Sequence, residues 1–262
     1  MNAFIRIARA AALEAGRLLK DNIYGARDIS YKGTINLVTE MDKRSERVIV
    51  DIIHGAFPGH RIIAEEDTRV ENASDYCWFI DPLDGTTNYA HGYPNFAVSI
   101  GLEYDGEIIS AAVYDPMRDE MFTAQKGEGA YLNERSIAVS GVDELIRGLL
   151  ATGFPYDRAE SRENNLNYFN ALIMAAQEVR RSGSAALDLC SVAAGRLDGY
   201  WELKLQPWDV AAGGRVSDFS GMRFSIRDKE ILVSNGLLHE RIRNVLAVVR
   251  QGGSDRKTGN DR

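Results

Sequence analysis

The sequence predicts an α+β protein, with an antiparallel N-terminal sheet carrying helices and an α/β C-terminal half, stacked into one layered body. Three observations predict it. Four apolar runs between residues 95 and 133 follow one another with only turn residues between them, the pattern of an antiparallel meander. After about residue 147, strand-like runs alternate with helix-length segments, the rhythm of an α/β arrangement. At 262 residues, 45% hydrophobic and 26% charged, the chain can bury a sizeable core and is not a disordered polymer.

The first helix is amphipathic: Phe4, Ile7, Ala8, Ala11, Ala15, Leu18 and Leu19 mark one face. Arg6, Arg9, Glu14 and Arg17 interrupt the apolar run that a signal peptide would need. No other stretch approaches the ~18 apolar residues of a membrane span, so a soluble, cytoplasmic protein is expected. A second helix runs from about Thr39 to Phe57. Thr39 is placed to cap it, Glu40 and Asp42 lie in its first turn, and Val48, Ile49, Ile52 and Ile53 form its buried stripe.

Strands are expected at 60–64 and 77–81, the second stopped by Pro82, with a short helix opening at Asp84-Gly85-Thr86-Thr87. The meander occupies NFAVSIGLEYDG, EIISAAVYDP, MFTAQKG and GAYLN. Beyond it, strands are read at 149–154, 178–183, 198–203 and 231–235, with helices at 163–177, 184–196, 207–221 and 239–250. The expected organisation is an α+β half over 1–147, an α/β half over 148–250, and a polar, disordered tail over 251–262.

A net charge of −7 repels phosphate backbones, which argues against nucleic-acid binding through bulk charge. An anionic substrate must therefore meet a cation or oriented N–H groups. Two cysteines, Cys77 and Cys190, make no disulfide framework and read as buried thiols.

The most informative stretch is CWFIDPLDGTTN, residues 77–88. Asp81 and Asp84, three residues apart across a turn at a strand end, can converge on one point. Carboxylates ~4 Å apart repel by roughly 4 kcal/mol at an effective dielectric of about 20, and a hard divalent cation compensates this. The N–H groups of Gly85 and Thr86 offer an anion seat beside it. Glu65, Glu66 and Asp67 follow another apolar strand, and if that strand neighbours 77–81, Glu65 falls beside Asp81. Pro207-Trp208-Asp209 opens a further helix. Read alone, each of these elements also fits a turn acid or a helix cap.

Together they do not stay generic. AEED, WFIDPLDGTTNYAHGYPNFAVSIG, RRSGSAALDLCSVAAGRLDGYWE and PWDVAAG resemble the inositol monophosphatase family of magnesium-dependent, lithium-sensitive phosphatases, and the resemblance covers essentially the whole chain. It implies a homodimer of layered αβαβα sandwiches. It implies that Glu65, Asp81, the Leu83 carbonyl, Asp84 and Asp209 hold two Mg²⁺ ions, with Asp81 bridging and a third, weaker ion near Glu65. Thr86 and Asp42 match the pair that orients the attacking water, and Glu65 belongs to the same catalytic group. Gly85 and Thr86 match phosphate donors, with Asp84 and Asp209 also facing the substrate. Gly183, Ser184, Ala185 and Glu202 match contacts to sugar or cyclitol hydroxyls.

The implied substrate is a small phosphorylated polyol or sugar: inositol 1-phosphate, or fructose 1,6-bisphosphate as some microbial members accept. Arg158, Arg181 and Lys204 are candidate cations for a second phosphate. A binding role with the transcription machinery, seen in some bacterial relatives, is the alternative of another class. The chain carries no Gly-x-Ser-x-Gly elbow and no phosphate-loop motif, and its four histidines lack zinc-ligand spacing. The aromatics Tyr89, Tyr93 and Phe96 could line a site, with core or surface packing the favoured reading.

Overall fold

The computed structural model describes residues 2–25, 29–31, 37–206, 215–225 and 227–255. The chain forms two compact units. The first is built on Met1–Ile137 and takes in Gly183–Cys190, a stretch that the sequence reading gave to the second half.

In the first unit, Asn2 caps helix α1 (Ala3–Asn22) by accepting from Ile5 N at 3.0 Å. A small antiparallel pair, β1 (Ile29–Tyr31) and β2 (Leu37–Thr39), leads into α2 (Glu40–Ala56). The eight-stranded sheet contains β3 (Arg61–Ala64), β4 (Arg69–Val70), β5 (Tyr76–Asp84), β6 (Ala97–Tyr104), β7 (Glu107–Asp115), β8 (Glu120–Gln125), β9 (Gly129–Leu132) and β10 (Arg135–Ser136). Its order is β10-β9-β8-β7-β6-β5-β3-β4, so the meander is antiparallel as expected, and β3 joins β5 in parallel.

Helix α1 packs against α2 and β7, and α2 packs against β5. The core between them sets Ala8, Ala11, Ala12, Ala15 and Leu19 with Ile49 and Ile53 against Trp78, Ile80, Ile100 and Leu102. The alanine face of α1 lets the helix axis approach the sheet closely. At Gly16 the approach is tightest, since a Cβ there would collide with the Tyr114 ring. Tyr89 is buried with its hydroxyl donating to the Leu19 carbonyl at 3.0 Å, and it meets Phe96 edge-on, so both are packing residues. Cys77 and Cys190 are buried free thiols.

The second unit centres on a five-stranded sheet of β11 (Leu149–Thr152), β12 (Glu178–Arg180), β13 (Gly199–Leu203), β14 (Arg215–Ser217) and β15 (Glu230–Ser234), ordered β12-β11-β13-β15-β14. β11 is parallel to both of its neighbours and β15 antiparallel to both of its own. Helices α4 (Leu166–Ala175) and α6 (His239–Asp255) pack on each other, burying Leu172, Ile242 and Leu246 against Leu150, Trp201 and Leu232. Helix α5 (Ala185–Ala193) begins in the first unit and ends in the second. His239 is fully buried between Ser217 Oγ, 2.8 Å from Nε2, and Ser234 Oγ, 3.0 Å from Nδ1, a core histidine with both ring nitrogens engaged.

Three expectations are corrected. Pro82 does not end the strand: β5 runs on to Asp84 through a register shift between Asp81 and Asp84. The helix expected over 207–221 is not continuous, because Arg215–Ser217 is a strand held by its ladder to β15; residues 207–214 lie outside the described residues. The tail expected over 251–262 begins as helix. Once Ile242 and Leu246 anchor α6, each further residue adds a hydrogen bond, and α6 reaches Asp255. Residues 256–262 lie outside the described residues. Among the described residues, no helix is long and apolar enough to cross a membrane.

Candidate active site

Thr39 stands in extended backbone and turns the chain into α2. Its hydroxyl accepts from Met41 N at 3.1 Å, and Asp42 Oδ2 returns the cap by accepting from Thr39 N at 2.8 Å. These bonds satisfy N–H groups that a helix start leaves without partners. The same Oδ2 receives the Thr39 hydroxyl at 2.5 Å, while Oδ1 accepts from Thr86 Oγ1 at 2.9 Å. Asp42 is 1% exposed. Burial pushes its carboxyl above the ordinary value, against the lowering effect of the bonds from Thr39 and Thr86.

Thr86 opens α3 (Thr86–Ala90), and its hydroxyl lies 3.1 Å from the Leu83 carbonyl as well. One hydroxyl proton thus faces two acceptors. Leu83 N donates to Asp81 Oδ1 at 3.0 Å. A hydrogen-bonded path therefore joins Asp42, Thr86, Leu83 and Asp81.

Asp81, 2% exposed, sits opposite Ser99 where regular pairing of β5 ends. Pro82 has no N–H to give the ladder, and pairing resumes only at Asp84 opposite Ala97. Between these pairs Pro82 and Leu83 stand against the single residue Val98, the two-to-one count of a β-bulge. Ser45 of α2 pins it by donating to the Pro82 carbonyl at 2.7 Å. The parallel register sets Ala64 against Ile80, and Glu65 N donates to the Ile80 carbonyl at 3.0 Å. The next position on each strand is Glu65 and Asp81, the juxtaposition expected from sequence.

Buried Asp84 lies at the start of α5: it accepts from the Ser184 hydroxyl, from Ala185 N at 3.3 Å and from Ala186 N at 2.9 Å. Gly85 is left-handed at φ 98°, and a Cβ there would meet the Asn95 carbonyl at 3.1 Å and the Gly183 carbonyl at 3.2 Å. Conformation and space both call for glycine. The structure thus brings Asp42, Asp81, Leu83 and Thr86 together in one path, and joins Asp84 and Gly85 to Gly183, Ser184 and Ala185. Glu202 belongs to the second unit, where Tyr200 donates to it and it lies over Gly153. Lys204 is paired there with Asp157 at 2.5 Å. Asp209 lies outside the described residues.

Two residues of this site escape a sequence reading. Ser45 and Glu46 are buried, and the Glu46 carboxylate accepts from Glu66 N at 2.9 Å, Asp67 N at 3.1 Å and Thr68 N at 2.8 Å. Their signal was available: they fall three and four positions after Asp42, on the face that Ile49 and Ile53 bury.

Among the described residues, no three Asp, Glu, His or Cys side chains form a ready metal cluster. The donor chemistry nonetheless fits magnesium. Glu65, Asp81, Asp84 and the Leu83 carbonyl offer hard oxygen ligands without thiolate or imidazole, the set such an ion takes.

A model of the inositol monophosphatase family matches residues 1–251. The chain is 42% identical to inositol-1-monophosphatase of Synechocystis sp., over 96% of this chain and 91% of that protein. It is 40% identical to Nus factor SuhB of Vibrio cholerae, over 97% of this chain and 98% of that protein. The solved inositol monophosphatase of Anabaena superposes with a TM-score of 0.84 at 44% identity, over 94% of this chain and 95% of that one, and it shares the α+β fold. With a match running from the first residue into the last helix, and with relatives aligned over nearly their whole length, this chain belongs to the inositol monophosphatase family.

Proposed function

We propose that this phosphatase hydrolyses inositol 1-phosphate to inositol and phosphate by direct attack of water, with magnesium as its cofactor. The observation that carries the reading is the path from buried Asp42 through Thr86 to Leu83 and Asp81. Glu65, Asp81, the Leu83 carbonyl, Asp84 and Asp209 are the residues that would hold two or three Mg²⁺ ions. The ions supply, when bound, a lowered pKa for water and charge compensation for the phosphoryl oxygens.

The chain's own part is proton handling and orientation. With its proton directed to Asp42 Oδ1, Thr86 Oγ1 keeps a lone pair that accepts a proton from the attacking water. Thr86 passes its own proton to Asp42, whose burial makes it the better acceptor. The new bond joins the water oxygen to phosphorus, the bond from phosphorus to the inositol oxygen breaks with its electron pair staying on that oxygen, and a proton from solvent completes the inositol hydroxyl. Gly85 and Thr86 N–H groups hold the phosphate. Gly183, Ser184 and Ala185 contact the inositol hydroxyls. The Ser184 proton is already given to Asp84, so its oxygen serves the substrate as an acceptor. The reading includes a cytoplasmic homodimer that lithium inhibits.

The test is turnover of inositol 1-phosphate against fructose 1,6-bisphosphate, with and without Mg²⁺, in wild type and Asp81→Asn. Activity that needs Mg²⁺, prefers inositol 1-phosphate and vanishes in Asp81→Asn is expected. Metal-independent turnover would overturn the reading. A second reading, a role as a Nus factor, is favoured by the SuhB relatives. A cellular phenotype that survives Asp81→Asn would support it.

A further inference from the structure

The turn that follows β3 is folded around a side chain from another element. Ala64 N donates to the Thr68 carbonyl at 3.0 Å, which closes residues 64–68 into a loop. Inside it, three successive N–H groups point at one carboxylate: Glu46 Oε2 takes Glu66 N, and Oε1 takes Asp67 N and Thr68 N. Successive backbone N–H groups turned to one point form an anion nest, and here α2 supplies the anion. The side chains of this loop include three acids, Glu65, Glu66 and Asp67. Lys43, one turn earlier on α2, holds the same loop from outside through an exposed ion pair to Asp67 at 3.1 Å.

Glu46 is 2% exposed. Burying a carboxylate costs several kcal/mol unless charge-assisted hydrogen bonds offset it. A residue there for packing alone would be apolar, as Ile49 and Ile53 are on the same helix face. The contacts begin at the residue after Glu65, while Glu65 N itself is fixed to Ile80. Glu65 is thereby held from both sides, by the sheet before it and by Glu46 after it. Together with Asp42 on Thr86 and Ser45 on the Pro82 carbonyl, Glu46 makes one helix face grip all three segments that carry the site.

We propose that Glu46 is a positioning residue for Glu65: it fixes the 65–68 loop so that the Glu65 carboxylate is pre-set to receive Mg²⁺. This rests on the proposed reading of Glu65 as a metal ligand. Replacement by Gln keeps one carbonyl oxygen. That oxygen stays with the two N–H groups of Asp67 and Thr68, and the new NH₂ then opposes Glu66 N, beside Glu65.

The experiment measures Mg²⁺ binding by titration calorimetry on the whole chain, with kcat and substrate KM at saturating Mg²⁺, for wild type, Glu46→Gln, Lys43→Ala and Asp81→Asn. Expected is a loss of Mg²⁺ affinity of about 10–100-fold in Glu46→Gln, the range for partners that orient metal ligands, with kcat and KM restored when Mg²⁺ saturates. Lys43→Ala should bind as wild type. Wild-type Mg²⁺ affinity in a folded Glu46→Gln overturns the proposal, whatever the activity does. If Glu46→Gln does not fold, amide exchange in the wild-type protein decides: the 66–68 amides should be protected, and fast exchange at all three overturns the proposal. Unchanged Mg²⁺ binding in Asp81→Asn instead removes the metal-site reading itself, which separates the two failures.

Discussion

Asp42→Asn separates the two jobs that one carboxylate performs. Oδ2 takes both the Thr39 N–H and the Thr39 hydroxyl, whereas Oδ1 takes the Thr86 hydroxyl. An asparagine has one oxygen, and the side with two donors keeps it. The cap of α2 therefore survives, and the NH₂ turns to Thr86 Oγ1. The lost charge at a helix start costs about 0.3–1 kcal/mol, and relief of a desolvated carboxylate offsets part of it. A change near 1 kcal/mol moves the Tm of a chain this size by roughly 2–4 °C.

Activity should respond quite differently. The NH₂ donates to Thr86 Oγ1, so the Thr86 proton is forced onto the Leu83 carbonyl, 3.1 Å away. The amide cannot take up a proton as the carboxylate can, so the relay from water through Thr86 ends without a base. Loss of general-base assistance is worth roughly 10²–10⁴ in rate. Steady-state kinetics at saturating Mg²⁺ and a thermal melt on the same preparation test this: kcat should fall by that range while Tm stays within a few degrees. A variant turning over within about tenfold of wild type, with its fold intact, would refute the relay.

Asp81→Asn should abolish turnover, and the rise in Tm that Mg²⁺ gives the wild type should disappear with it, because a ligand stabilises only the state that binds it; an undiminished rise contradicts the assignment. Gly85→Ala forces a side chain into a left-handed position and against the Asn95 and Gly183 carbonyls. It should cost about 2–5 kcal/mol from strain and overpacking together, and an unchanged melt would show that the turn can relax. His60 is stacked between Phe57 at 4.8 Å and Tyr76 at 4.7 Å, and its Nδ1 accepts from Trp78 Nε1 at 3.1 Å. Burial holds its pKa below the ordinary value of 6.5, so protonation favours the unfolded chain. The stability it contributes is complete above that value and is lost as pH falls through the folded pKa. The Tm gap between wild type and His60→Phe should therefore narrow from about pH 7.5 to about 5.5, and a constant gap would exclude the effect.

The sheet order of the first unit was legible because strand signals are local. Alternation and turn residues delimited β6 to β9, and a meander leaves consecutive strands no choice of neighbour. The parallel pairing of β3 with β5 was legible only as a condition, and that condition put Glu65 beside Asp81. Pro82 misled because the rule that it ends a strand ignores what the strand can gain: a bulge drops two ladder positions and keeps Asp84 paired with Ala97. The strand at 215–217 was read as helix because three residues carry too little pattern to compete with the helix-like run before them.

The stripe on α2 was misjudged for a more general reason. Apolar periodicity marks Val48, Ile49, Ile52 and Ile53 and is silent on Ser45 and Glu46, although both share the buried face with Asp42, Ile49 and Ile53. Apolar residues on such a face need only volume, so their pattern is visible in one helix alone. Polar residues on it need partners, and here these come from the Pro82 carbonyl and the 66–68 amides, distant in sequence and supplied only by folding. A charged or hydroxyl side chain at a core register position is thus a statement about another segment. On α2 those segments are the ones that carry Glu65, Asp81 and Thr86, and the helix acts as the frame of the proposed site.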